Sequence, residues 1–99
     1  MNVVDANILL YAVNTDSARH VESRAWLDDR LSGGAVVGFA WVVLLAFVRL
    51  STRRGIFEAP LTSDEAWDRA DAWLARPSAV IIEPTARHAS LMRELLGAA

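Results

Sequence analysis

Apolar positions along the chain fall into short runs separated by polar and glycine-rich breaks, and those breaks set the order of elements. Val3-Val4 is a β-branched pair ending in Asp5, and Ile8 to Val13 follows with no breaker. The pair reads as a buried strand and the longer run as a helix. Asn14-Thr15-Asp16-Ser17 is a turn and capping cluster. Ala18 to Leu31 then reads as a polar helix. Its Val21, Ala25, Trp26 and Leu31 are expected to point inward, and Arg19, Glu22, Arg24, Asp28, Asp29 and Arg30 to form a solvated face with pairs at helical spacing. Ser32-Gly33-Gly34 stops that helix, and Ala35 to Gly38 reads as a second short strand.

Phe39 to Leu50 is apolar on all sides until Arg49, which predicts a helix buried over most of its surface. Arg49, Arg53 and Arg54 fall at or beyond its end, where positive charge complements the helix dipole. Gly55 to Pro60 is a loop. Thr62-Ser63-Asp64-Glu65 is a capping box, with Thr62 at the N-cap and Glu65 reaching back. Ala66, Trp67, Ala70, Trp73 and Leu74 keep the helical period until Pro77. Ala79 to Ile82 is a third strand, closed by Glu83-Pro84. Thr85 caps a last helix whose inner stripe is His88, Leu91, Met92, Leu95 and Leu96.

The order β-α-α-β-α-α-β-α argues an α/β domain with a parallel sheet between two helical layers. The 99 residues suit one domain. Because the last helix leads into no strand, the domain is expected to be incomplete at its C-terminus. A dimer, strand exchange or poor solubility would follow from an uncovered sheet edge. The apolar content, 54% with a mean hydropathy of +0.25, is high for so small a chain and suggests surface committed to a partner or to further sequence.

Charge and residue types narrow the chemistry. The net charge of −2 carries no global nucleic-acid signature. All ten basic residues are Arg, so mechanisms that need a lysine are excluded. The absence of cysteine removes disulfides, thiolate zinc sites and cysteine nucleophiles. No secretion signal is expected, since Asp5 and Asn7 interrupt the N-terminus. The run Ala35 to Val48 is 14 residues, short of the ~20 that span a bilayer, so a cytoplasmic, non-membrane protein is expected.

Asp5 is the residue with the most chemistry. At a strand-to-helix turn it lies on the rim where the carboxyl ends of parallel strands converge. A carboxylate there can hold a hard cation, act as a nucleophile, or cap the helix that follows. Asn7 could be a local hydrogen-bonding residue of the first turn. Glu83, at the end of the third strand, could reach the same rim. His20 and His88 show no metal-ligand spacing, and the serines sit at caps and turns with no nucleophile elbow. A phosphoacceptor receiver needs a late lysine, and a haloacid-dehalogenase-like phosphatase needs Asp-x-Asp-x-Thr, whereas this chain has Asp5-Ala6-Asn7-Ile8-Leu9. What survives is Asp5 as one ligand of Mg²⁺ or Mn²⁺ that activates water against a phosphodiester. Mg²⁺ is often held by only one or two carboxylates. Arg49 or Arg53 could meet an RNA phosphate, set against a plain role as helix-end charge.

Val3 to Ala12, followed by Asp16-Ser17 and His20, resembles the opening of a PIN-domain toxin of the VapC type. Phe39 to Leu50 resembles that family's third helix, and Glu83-Pro84-Thr85 to His88 with Leu91 to Leu96 matches the same subgroup, so the similarity runs along essentially the whole chain. The resemblance implies a PIN-like fold, Mg²⁺- or Mn²⁺-dependent endoribonuclease activity, a cognate VapB-type antitoxin and homodimers. It assigns Asp5 as the first metal-binding acid and catalytic residue, and Asn7 as the polar residue beside it. Many PIN domains carry a glutamate in the third helix, where this chain has Ala46. Family members also continue into further acidic elements. The chain is therefore expected to be a C-terminally truncated toxin ribonuclease with impaired activity. The alternative is a non-catalytic module that binds antitoxin or dimerises, with Trp41, Phe47 and Trp73 as candidate anchors.

Overall fold

The computed structural model describes residues 1–82. Its elements run β1 (Asn2–Val3), α1 (Ala6–Val13), α2 (His20–Ser32), β2 (Val37–Ala40), α3 (Trp41–Ser51), α4 (Ser63–Leu74) and β3 (Ala79–Ile82). The expected succession of strands and helices is present through the third strand. Glu83, Thr85 and the expected stripe from His88 to Leu96 lie outside the described residues.

The three strands form one parallel sheet in the order β1-β2-β3. β2 is the middle strand, and all four of its residues are buried. Such burial on both faces explains why its side chains do not alternate with polar ones. On one face Val37 and Phe39, both 0% exposed, join Val4, Leu9, Leu27, Leu44 and Phe47 in the core. On the other, Gly38 lies under Ile82 and Met1, and a Cβ added at Gly38 would stand 2.5 Å from the Ile82 Cδ1. The same face carries Val3 and Val80, which are exposed.

Three expectations need correction. The second strand begins at Val37 and runs to Ala40 rather than ending at Gly38. Phe39 and Ala40 stay in the ladder because β3 offers partners to both, Phe39↔Ile81 and Ala40↔Ile82, and this pairing outweighs local helical periodicity. The inward stripe of α2 is Ser23, Leu27 and Leu31, spaced four apart. Val21, 79% exposed, and the exposed Ala25 precede Ser23 and Leu27 by two residues, which is about 200° round the helix. Finally, α3 is not buried on most sides. Leu44, Phe47 and Ser51 face α1 and α4, while Trp41, Val42 and Leu45 are exposed at 40%, 60% and 54%.

Capping in α4 is as the sequence predicts. The Glu65 amide donates to Thr62 Oγ1 at 3.1 Å, and the Thr62 amide donates to Glu65 Oε1 at 2.9 Å. That backbone hydrogen bond is the main reason the Glu65 carboxyl titrates below its ordinary 4.5, with the Thr62 side chain and Arg69 lowering it further. A group with a depressed folded pKa adds stability that is present above its unfolded pKa and lost as pH falls through the folded one. Acidification below 4.5 should therefore weaken the α4 cap. NMR should show the Thr62 amide titrating in step with Glu65, and Glu65→Gln should remove the titration while keeping the helix.

Candidate active site

Asp5 is placed by two neighbours. β1 pairs with β2, and the Val4 amide donates to the Gly38 carbonyl at 3.1 Å, so the chain leaves the sheet at its carboxyl edge. There Asp5 adopts extended backbone (φ −93°, ψ 164°) and α1 begins at the next residue. The Ile8 amide donates to Asp5 Oδ1 at 2.8 Å, so the carboxylate caps α1. The side chain is exposed, and no hydrogen bond to its second oxygen is found among the described residues. Capping and cation binding are thus compatible: one oxygen fixes the rotamer and the other stays available.

Asn7 is exposed in the first turn of α1. Ala46, on α3, is half-buried, so no third-helix carboxylate stands at that position. Arg49 lies in the last turn of α3 and lines a shallow groove with Val42, Leu45, Ala46, Leu50 and Arg53. Trp41 opens α3 directly at the end of β2, and Arg49 is eight residues on, about 12 Å along the axis. Arg49 and Arg53 therefore share one surface. Asp5, like Trp41, follows a strand at the carboxyl edge of the sheet, whereas Arg49 and Arg53 stand at and beyond the far end of α3.

Among the described residues there is no group of three His, Cys, Asp or Glu side chains able to hold a metal. The fit to a divalent ion rests on one exposed carboxylate oxygen, which is the small end of the donor sets Mg²⁺ uses. His20 belongs to no such group among the described residues and has a structural partner. Its Nδ1 is 3.0 Å from the Tyr11 carbonyl, joining the start of α2 to the end of α1. That role depends on a residue nine positions away and leaves no mark in the local sequence.

The candidate anchors separate. Phe47 is 0% exposed and packs edge-on against Trp73, with ring centroids 5.0 Å apart. Trp73 also stacks on Phe39 at 6.4 Å. Phe47 serves the interior, whereas Trp73 is half-buried and keeps part of its surface on the cleft between α2 and α4. Trp41, with Val42 and Leu45 beside it, keeps an outward side.

Comparison with known proteins identifies the class to which this parallel α/β layer belongs. The PIN domain family model matches residues 3–98. The chain belongs to the PIN-domain family. Its similarity is to the VapC type. It is 55% identical over 96 residues to Ribonuclease VapC37 of Mycobacterium tuberculosis, covering 97% of this chain and 67% of that protein. VapC ribonuclease Mb2897 of Mycobacterium bovis is 35% identical over 95 residues, covering 96% of this chain and 65% of the relative. Ribonuclease VapC33 of Mycobacterium tuberculosis is 31% identical over 96 residues, covering 97% of this chain and 67% of that relative. The chain spans about two thirds of the length of these curated relatives.

Proposed function

We propose that this chain is the toxin component of a type II toxin–antitoxin pair, or a part of one, and that its activity is Mg²⁺- or Mn²⁺-dependent endoribonucleolytic cleavage of RNA phosphodiesters. The observation that carries this reading is Asp5, an exposed carboxylate at the carboxyl edge of a parallel sheet with one oxygen free of the helix cap. The names of the relatives, all ribonucleases, support it. A divalent ion held at Asp5 would provide charge neutralisation at the phosphate and a more acidic water. Asp5 is the metal ligand and catalytic residue. Its cap to Ile8 holds the carboxylate in one rotamer, and Asn7, two residues on, offers a neutral amide in the same turn. On this reading Arg49 and Arg53, which line one groove, would meet a phosphate other than the one being cleaved. The exposed side of α3 supports a protein partner, either a VapB-type antitoxin or a second copy forming a homodimer. A cytoplasmic location is part of the proposal; no described helix is long and apolar enough to cross a membrane.

A second reading is favoured by one observation: among the described residues Asp5 belongs to no group of three His, Cys, Asp or Glu side chains able to hold a metal. On that reading the chain is a non-catalytic PIN module that dimerises or captures antitoxin. Cleavage of an RNA panel by the 99-residue chain decides between them. The ribonuclease reading expects weak cleavage that requires Mg²⁺ or Mn²⁺ and is lost in EDTA. A chain inert with both metals that still retains the antitoxin in a pull-down supports the second reading instead. Cleavage that persists in EDTA would sink the metal assignment.

A further inference from the structure

A second basic surface lies between α2 and α4, away from Asp5. These helices are not closely packed on each other, and a cavity of about 230 Å³ opens between them. Arg24 comes from α2, Arg69 from α4, and Arg76 from just beyond the end of α4; His20 and, among the described residues, one carboxylate, Asp28, complete the polar wall. Three guanidiniums against one lining acid is a local excess in a chain whose net charge is −2. The floor is apolar: Leu27 is 2% exposed, and Trp73 is held by its stacking on Phe39 and its edge-on packing against Phe47. A low-dielectric wall behind the cations strengthens their field in the cleft.

The arginines are also partly positioned. An Arg76 Nη2 donates to Ser32 Oγ at 2.8 Å, which fixes the end of that side chain through one of its five N–H donors and leaves the others for a ligand. Asp28 stands one turn from Arg24 on α2, and Glu65 lies near Arg69, so part of the charge is compensated. Yet Glu65 is already engaged by the Thr62 amide. Three guanidiniums lining one space of this size favour a multi-oxygen anion of about two charges over a single carboxylate, which one fork satisfies.

We propose that this cleft is a phosphate-binding site, taking either a backbone phosphate of a single-stranded RNA or free phosphate. It meets α1 at Ala12 and Val13, the far end of the helix that Asp5 caps, and it needs neither Asp5 nor a metal. Its RNA arm rests on the ribonuclease reading; the phosphate chemistry does not.

The test is binding in EDTA by the full chain. One probe is inorganic phosphate, followed by NMR at the Trp73 indole and the His20 ring. The other is a fluorescent 2′-O-methyl oligoribonucleotide, which resists cleavage, followed by anisotropy. A site for an RNA phosphate predicts movement of the Trp73 and His20 signals with phosphate. It also predicts at least fivefold weaker oligonucleotide binding in Arg24→Gln and in R24Q/R76Q. The slope of log affinity against log salt should fall by about 0.7 for each phosphate that the variant no longer neutralises. Asp28→Asn removes the opposing carboxylate and should tighten binding, a gain that misfolding cannot mimic. Arg30→Gln, exposed on the same helix but outside the cleft, should change nothing. Phosphate-induced shifts that vanish in R24Q/R76Q, with oligonucleotide affinity unmoved, assign the site to free phosphate. Absence of shifts together with unaltered oligonucleotide affinity overturns the proposal, as does a cleft that responds only to a polyglutamate peptide. Asp5→Ala should retain the oligonucleotide, so failure of the ribonuclease reading and failure of this site are distinguishable.

Discussion

Replacing Phe47 by alanine is expected to destabilise the fold by about 3–5 kcal/mol, the range for removing a buried aromatic ring. Phe47 is 0% exposed and meets the Trp73 ring edge-on at 5.0 Å, so truncation opens a cavity between α3 and α4 and also removes an aromatic pairing. Trp73 is simultaneously stacked on Phe39 of the central strand, and the gap would therefore reach the sheet. Domains of this size have total stabilities of about 5–15 kcal/mol, so the variant should be largely unfolded or nearly so in urea melts. Trp41→Ala is the control on the same helix. Trp41 is 40% exposed and should cost much less in stability while weakening any partner that docks on the outer side of α3. Similar urea midpoints for the two variants would contradict the division of α3 into an inner and an outer face.

That division shows how far the sequence could be read. The Thr62–Glu65 capping box and the strand Ala79–Ile82 are legible because both are set locally, one by residues three apart and the other by flanking proline and polar residues. The start of α3 is not, because Phe39 and Ala40 belong to β2 only through Ile81 and Ile82, forty-two residues further on. Val21 looks inward by type, yet Leu27, Leu31 and the small Ser23 set the phase of α2. The almost unbroken apolar run from Phe39 to Val48 likewise does not mark which side of α3 meets α1 and α4. The family was legible in the opening run, and so was the position of Asp5, because a strand-to-helix turn is a local feature. The α2–α4 cleft is the clearest case: Arg24 reads as one residue of a solvated face, and nothing local ties it to Arg69 and Arg76.

Changing Asp5 to asparagine should separate the two roles that meet at this residue. Asparagine caps helices about as well as aspartate, since its side-chain oxygen can still accept from the Ile8 amide, which now lies 2.8 Å from Oδ1. Stability should therefore stay within about 0.5 kcal/mol of the parent. The negative charge and the free anionic oxygen are gone, however. Loss of residues that merely support a metal ligand costs about 10–100-fold, so loss of the ligand itself should reduce RNA cleavage by about 100-fold or more. Mn²⁺ affinity, measured in the absence of RNA, should fall in parallel and gives a readout even where cleavage is weak. Asp5→Ala should show the same functional loss together with about 1 kcal/mol of lost stability, the cost of an unfilled N-cap. Asp5→Ser should restore the cap without restoring metal binding. If Asp5→Asn instead cleaves RNA and binds Mn²⁺ like the parent, the carboxylate is only a helix cap and the ribonuclease reading loses its metal ligand. The pairing of asparagine with serine matters because a defect shared by both, at parental stability, can arise only from the missing charge.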